Sequence, residues 1–402
     1  GRTVVFTGYP YTIQTYHVAE LYAIGLDGGG MRMITPELDR PVNGITWAAD
    51  GGSFYFAMDD EGTRNVFAAT LDGTVRPVTE GEHLLSLGSI GSDIGVGVRS
   101  APHEPGDVVR FDLGGGSQLT ELTQVNDDVL DGIRLGEVEE LWFEAPDGTR
   151  AQGWIVKPPS FDASRDYPLV MEIHGGPHGM YNVGFNYMYQ NFAANDYVVL
   201  YTNPRGSTGY GTEFGNAIDD AYPSVDYDDL IAGVDALVAQ GYIDTDRMFV
   251  GGCSGGGVLS SWVIGHTDRF AAAAVRCPVI DWISFAGTAD VALWGYNRFR
   301  SKPWEDPEKW LHHSPLMYAP NVKTPTLIMT GELDLRTPMA QSEEYFQALK
   351  VVGVPVKLVR FNEEYHGTGS KPSNFMRTQL LMMKWYETWG GENRWRRTAT
   401  QQ

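Results

Sequence analysis

The stretch "GGCSGGG", Gly251 to Gly257, constrains the fold of this chain more than any other. Five of its seven residues are glycine, and they surround one serine, Ser254, which Cys253 precedes. The run before it, "RMFVGG", reads as a buried strand, and the run after it, "GVLSSWVIGH", reads as a helix. A Gly-x-Ser-x-Gly between a strand and a helix is a sharp turn that lifts its central side chain above a sheet. Such a turn holds its central residue in unfavourable dihedrals and needs small neighbours two positions away on either side. Ser254 is therefore the expected nucleophile, with Cys253 pointing into the packing beneath. The backbone N–H of Gly255 falls at a helix N-terminus, where an oxyanion is stabilised. A glycine-rich turn without chemistry is the bland alternative, because the five-residue pattern alone is weak.

The surrounding sequence supplies the sheet that such a turn needs. From about Glu137, short apolar runs typical of strands buried on both faces alternate with helical periodicity. The runs are "YPLVMEIHG", "YVVLYTN", "RMFVGG", "AAAAVRCPV", "TPTLIMTG" and "VKLVRFN"; Val225 to Gln240 and Pro338 to Val351 carry helical spacing. This is an α/β pattern with a mostly parallel sheet. In this arrangement a catalytic serine is followed in the chain by an acid and then a histidine. "TPTLIMTGELD" brings Glu332 and Asp334 to a strand end, and "NEEYHGTG" brings His366 to the next one. Sites in open α/β sheets form at such carboxyl ends. His366 is expected to take the proton of Ser254 and Asp334 to fix its tautomer. Glu332, Glu363 and Glu364 read as solvated loop charges. Upstream, Gly175-Gly176 in "MEIHGGPHG" is placed to supply a second oxyanion N–H, that of Gly176.

The first third reads differently. Short β-type runs are separated by Asp-Gly and Gly-Gly turns, and three hairpin units repeat. Aligning Leu26, Leu71 and Leu113 gives steps of 45 and 42 residues, the period of a four-stranded propeller blade. The middle and third units show four strands, while the first lacks its innermost strand. The predicted fold is a C-terminal α/β-hydrolase domain at 137–402, preceded by part of a β-propeller at 1–123, about three blades with the first incomplete. Residues 124–136 read as a linker.

Together, "HGGPHG", "YTNPRGSTGYGTEFG", "GGCSGGG", "GELDLRTPMAQSEEYFQAL" and "EYHGTG" resemble the prolyl oligopeptidase family, nearest its acylaminoacyl peptidase and dipeptidyl aminopeptidase branch. The resemblance covers about Glu137 to Trp389, and the repeats fit the family's propeller. It implies a serine peptidase of short peptides with Ser254, Asp334 and His366 as triad and Gly176 and Gly255 as oxyanion hole. It sets Arg205 of "NPRGSTGYG" near the site, bracing loops or touching substrate. Trp294 of "DVALWGYNRF" is a candidate wall for the residue before the scissile bond, with core packing as its alternative. Two departures stand out. Many members carry an aromatic after the nucleophile where this chain has Gly255, which implies a roomier oxyanion pocket. The propeller also has fewer than half of the usual seven blades.

Composition bounds the partners. A formal charge of -21 over 402 residues disfavours nucleic acid and anionic membranes. No H-E-x-x-H, CxxC or phosphate-binding loop is present, so no metal or cofactor is expected. His312-His313 reads as a helix start with diverging side chains rather than a ligand pair. Two cysteines make no disulfide framework and neither require nor exclude an oxidising compartment. The chain starts at Gly1-Arg2 within what should be a hairpin turn. A separate N-terminal propeller fragment of the same precursor is therefore an expected partner, and a homo-oligomer is compatible with the sequence. A carboxylesterase with the same triad is the nearest rival function; a non-catalytic propeller scaffold with a degenerate hydrolase domain is the rival from another class.

Overall fold

The computed structural model describes residues 1–116 and 118–391, which fall into two compact units. Ser117 and residues 392–402 of the expected catalytic domain lie outside the described residues.

The first unit holds Gly1–Leu135 together with Met180–Tyr187 and Ser207–Asn216. Its strands are β1 (Thr3–Gly8), β2 (Glu20–Gly25), β3 (Arg32–Met33), β4 (Val42–Trp47), β5 (Ser53–Asp60), β6 (Thr63–Thr70), β7 (Val75–Pro77), β8 (Leu84–Leu85), β9 (Ser89–Ile90), β10 (Ile94–Ala101), β11 (Glu104–Asp112) and β12 (Thr120–Glu121). Strands β1, β2 and β3 form one antiparallel sheet of three, and the other nine form a second sheet. The middle repeat contributes β4–β7 to it and the third contributes β8–β12, joined by a single bridge between Arg64 and Leu84. Side chains of β5 alternate between two cores, as a strand buried on both faces must. Phe54, Phe56 and Met58 pack with Leu21 and Ala23 of β2, whereas Tyr55 packs with Val66, Leu85 and Val109.

Two segments that the sequence pattern gave to the catalytic domain thus cluster with the repeats, as does most of the expected linker, which carries a short helix α1 (Asp127–Leu130). The reason is hydrogen bonding across long sequence separations, which strand periodicity cannot register. The Asp39 carboxylate accepts from the Thr212 backbone N at 2.9 Å and from its hydroxyl, and Asn216 Nδ2 donates to the Tyr16 carbonyl at 3.0 Å.

The second unit is an eight-stranded sheet. Its strands are β13 (Val138–Glu144), β14 (Arg150–Val156), β15 (Tyr167–Ile173), β16 (Val198–Asn203), β17 (Ile243–Cys253), β18 (Ala272–Arg276), β19 (Thr326–Gly331) and β20 (Val356–Phe361), in the order β13-β14-β16-β15-β17-β18-β19-β20. Pairing is antiparallel as far as β14–β16 and parallel from there to β20. Among the described residues, α3 (Thr212–Asn216) belongs to the first unit, and the other helices are α2 (Tyr187–Ala194), α4 (Val225–Val238), α5 (Gly255–His266), α6 (Trp282–Thr288), α7 (Ala292–Tyr296), α8 (Pro307–His312), α9 (Met339–Val351) and α10 (Pro372–Gly390), with a 3-10 helix at Pro315–Asn321. Phe249 of β17 stacks on Tyr386 of α10, while Gly252, on the alternate face, meets α5. Helices therefore cover both faces of the central strand. His312 and His313 stand at the end of α8 rather than at a helix start. Their rings pack edge to face at 4.9 Å instead of diverging, because the chain turns there into the 3-10 helix.

Candidate active site

The turn after β17 is built as its glycines dictate. Ser254 has φ 62° and ψ −118°, a left-handed conformation that costs a non-glycine residue about 1–3 kcal/mol. Its N–H donates to the Arg276 carbonyl at 3.1 Å, and its carbonyl accepts from Val258 at 2.9 Å, so both neighbouring elements hold it. A Cβ on Gly252 would lie 2.6 Å from the Gly256 backbone, and one on Gly256 would lie 2.0 Å from the Ile173 carbonyl. Neither position tolerates a side chain while α5 stays in place. Gly251 leaves room of another kind. A Cβ there would meet Glu172 Oε1 and Tyr386 Oη at 3.1 and 3.2 Å. Through this gap the fully buried Glu172 reaches an ion pair with Arg276 beneath the turn. Burial pushes the Glu172 carboxyl up against the pull of Arg276.

Cys253 does not simply fill the packing beneath. It is joined to Cys277 by a disulfide, with the Cα atoms 5.4 Å apart. Cys253 pairs in register with Arg276, so the next residue along, Cys277, leaves β18 within reach of it. Cys277 is buried, and Cys253 is half-buried.

Asp334 follows β19, and its side chain is shut off from solvent. Its Oδ1 accepts from the backbone N–H of Arg336 at 2.9 Å and of Thr337 at 2.8 Å. Its Oδ2 accepts from Thr337 Oγ1 at 3.0 Å and sits 2.9 Å from His366 Nδ1. Glu332, the other acid of that loop, is exposed. His366 stands on the loop after β20. Glu364 in that loop is no solvated charge: it is buried and accepts from Asn374 Nδ2 at 2.7 Å and from the N–H groups of Ser370 and Lys371 at 3.2 Å. Burial raises its carboxyl, and these donors outweigh that, so it is lowered overall. Glu363 is exposed beside Lys371.

Ser254, His366, Gly176 and Gly255 all face one cavity of about 410 Å³. Among the described residues no hydrogen bond joins Ser254 to His366; such bonds commonly close only when substrate is bound. The side of the cavity at Gly255, expected to be roomy, is tight. A Cβ on Gly255 would lie 2.8 Å from the Gly176 nitrogen, so the backbone after β15 occupies the space a larger residue would need. Much of the wall is apolar: Val258, Val279, Trp282, Phe285, Val291 and Trp294. Trp294 lies 6.2 Å from Trp282 and edge-on to Phe285. Tyr222 forms part of the wall and donates its hydroxyl to the Gly255 carbonyl at 3.0 Å, a tie that no local pattern announces. Behind it the buried Arg298 guanidinium lies 4.9 Å over the Tyr222 ring, and burial lowers its pKa to about 10. His178 completes the rim; burial lowers it to about 4, so it is neutral across the ordinary pH range. Arg336 supplies the cation at the mouth, paired with Asp290 at 2.7 Å.

Arg205 does not line this cavity. Its guanidinium is spent on the buried Asp229, at 2.6 Å, and on Asp147, so it braces the loops after β13, β16 and at the start of α4. Cys277 Sγ, Asp334 and His366 bring ligand-type atoms within 4.8 Å of one another, but that sulfur is committed to the disulfide. A larger cleft of about 720 Å³ opens at the amino ends of the strands, beside Asp244, Arg247 and Glu387, and contains none of these groups.

The chain is similar to known peptidases. An uncharacterised peptidase, YuxL, of Bacillus subtilis is 35% identical over 87% of this chain and 53% of its own length. Dipeptidyl-peptidase 5 of Porphyromonas gingivalis is 28% identical over 92% of this chain and 55% of its own. The chain thus spans about half the length of these curated relatives. The solved acylaminoacyl peptidase of Pyrococcus horikoshii superposes with a TM-score of 0.87 at 26% identity, over 96% of this chain and 62% of that one. Residues 183–393, more than half of the chain and including the serine turn, the acid loop and the histidine loop, match the prolyl oligopeptidase family, to which this chain belongs.

Proposed function

We propose that the chain carries the catalytic centre of a serine peptidase acting on short peptides. The observation that carries this is one cavity bounded by the strained Ser254, the Asp334-held His366 and a wall of apolar side chains. Ser254 Oγ attacks the substrate carbonyl while His366 Nε2 takes its proton; the Nδ1–H remains on Asp334. The tetrahedral oxyanion receives the N–H groups of Gly176 and Gly255. His366 then gives its proton to the leaving amine, and water releases the acyl group by the reverse sequence. The apolar wall, Trp294 included, takes the side chain before the scissile bond, and Arg336 at the mouth donates to a carbonyl of the bound peptide.

The three-stranded sheet β1–β3 fits a propeller blade that takes its fourth strand from another segment, which we assign to a propeller fragment of the same precursor. The test of the function uses an aminoacyl p-nitroanilide with a large apolar residue, a matched p-nitrophenyl ester and a fluorophosphonate. Ser254 should be the labelled residue, the anilide should turn over, and Trp294→Ala should raise KM for it. Hydrolysis of the ester with no turnover of any anilide or peptide would make the chain an esterase. Absence of fluorophosphonate labelling at Ser254 would remove the catalytic reading altogether.

A further inference from the structure

The disulfide stands where a cross-link bears directly on chemistry. One half, Cys253, is the residue before Ser254; the other, Cys277, has its sulfur within 4.8 Å of the side-chain atoms of Asp334 and His366. Both turns that it ties together are left-handed: Ser254 has φ 62° and Cys277 has φ 37°. Non-glycine residues persist in such conformations only where their surroundings hold them. The main chain contributes through the Ser254 N–H on Arg276 and the Cys277 N–H on Met329 at 2.8 Å. The bridge adds a covalent link between the nucleophile's turn and the end of β18, which is hydrogen-bonded in turn to β19, the strand before Asp334.

Resting on the triad reading above, we propose that the Cys253–Cys277 disulfide is a positioning element of the catalytic centre, and that its reduction lowers turnover without weakening substrate binding. The chemistry needs a dithiol. Its thiolate attacks Sγ of Cys253, the half-buried and reachable sulfur, and the S–S bond breaks. Cys277 leaves as a thiolate and takes a proton, and a mixed disulfide forms at Cys253. The second thiol of the reagent then displaces Cys253 as a thiol. Overall the protein disulfide gains two electrons and two protons, and the dithiol becomes a cyclic disulfide.

Reduction removes the covalent tie between two turns that each hold a non-glycine residue at positive φ, and so frees the serine turn to shift. A misplacement of about 1 Å in a catalytic group costs up to about a hundredfold in rate. The reduced pair also leaves a thiol beside Asp334, able to compete with His366 for the carboxylate. Trp282 and Phe285 stand on α6 and Trp294 on α7, away from the bridged turns, so binding of the apolar side chain should survive.

The experiment compares the oxidised protein, the protein reduced by dithiothreitol and the double variant Cys253→Ser/Cys277→Ser. Free thiols are counted by alkylation and mass, and folding at the assay temperature is checked by near-ultraviolet circular dichroism. Reduction should lower kcat ten- to a hundredfold at constant KM, and reoxidation should restore it. The double variant should have the low kcat and ignore dithiothreitol. The wild-type cycle decides the matter even if the double variant fails to fold. A fully reduced protein with kcat within twofold of the oxidised form would overturn the proposal. So would a kcat loss that tracks unfolding, a parallel rise in KM, or a dithiothreitol effect that persists in the double variant. If Ser254→Ala keeps full activity, the triad reading is what fails; if Ser254 is essential and redox state is silent, only the proposal for the bridge fails.

Discussion

Replacing Asp334 by asparagine tests the geometry of the site more sharply than removing any group. Oδ1 is pinned by two backbone donors, Arg336 N at 2.9 Å and Thr337 N at 2.8 Å. An asparagine must keep its carbonyl oxygen there, because its amide nitrogen cannot accept from either. The NH2 group then takes the place of Oδ2, 2.9 Å from His366 Nδ1. A donor facing Nδ1 makes that nitrogen the acceptor and drives the imidazole proton to Nε2. That is the atom that must accept from Ser254, so the base is disabled by tautomer and not by charge alone. The same substitution in a triad of this kind costs about 10⁴ in kcat, or about 5.5 kcal/mol of barrier at about 1.4 kcal/mol per decade. Stability should change little, since Thr337 Oγ1 can turn to accept from the new amide. The assay is kcat for an aminoacyl p-nitroanilide, with the melting temperature of Asp334→Asn and of the exposed control Glu332→Gln measured in parallel. A folded Asp334→Asn within tenfold of wild type would refute the reasoning. So would a dead Glu332→Gln.

Three further outcomes follow. Ser254→Ala should lose several orders of magnitude in kcat with the fold intact, while Cys253→Ala should retain activity well above it; the reverse ranking would transfer the nucleophile to Cys253. Arg205→Met strands the buried Asp229 without its cation, which should cost about 3–5 kcal/mol in denaturant unfolding; a rise in KM without destabilisation would mean that Arg205 meets substrate. Burial raises Asp226 to about 7 from its ordinary carboxylate value near 4. A raised acid favours the folded state below its ordinary value, and that stability is lost as pH rises through 7. Asp226→Asn should therefore flatten the fall in melting temperature between pH 5 and pH 8, and equal slopes in both proteins would count against the raised value.

The parts of the candidate site that are legible in the sequence are those that local chain geometry dictates. Ser254 stands out because its glycines must lie at fixed offsets: Gly252 and Gly256, two positions away on either side, would each collide with a backbone carbonyl if they grew a side chain. Asp334 and His366 stand out because each follows a buried strand and the chain order is right. What sequence could not show depends on register and on distant partners. Cys253 and Cys277 lie 24 residues apart and meet only because β17 and β18 pair Cys253 with Arg276. Glu364 resembles its exposed neighbour Glu363 until the loop folds onto α10. Gly255 suggested open space, and only the path of Gly175-Gly176 fills it. Segments 180–187 and 207–216 sit among strands of the second unit in sequence, yet long-range bonds such as Asp39 to Thr212 place them in the first.

The buried Glu364 has a consequence for the far end of the chain. Its carboxylate gathers Ser370, the Lys371 N–H and Asn374, and Thr378 Oγ1 reaches back to the Thr368 carbonyl at 2.9 Å. The loop from Glu364 to Ser370 is thus a stirrup hung from the first turns of α10, with His366 near its lowest point. The imidazole owes its steadiness to a helix whose residues never reach the cavity wall. Proteolysis or truncation that frays the start of α10 should therefore unseat the proton-transfer step while leaving the serine turn, the apolar wall and the sheet intact. Helix α10 thus suspends the loop that carries His366.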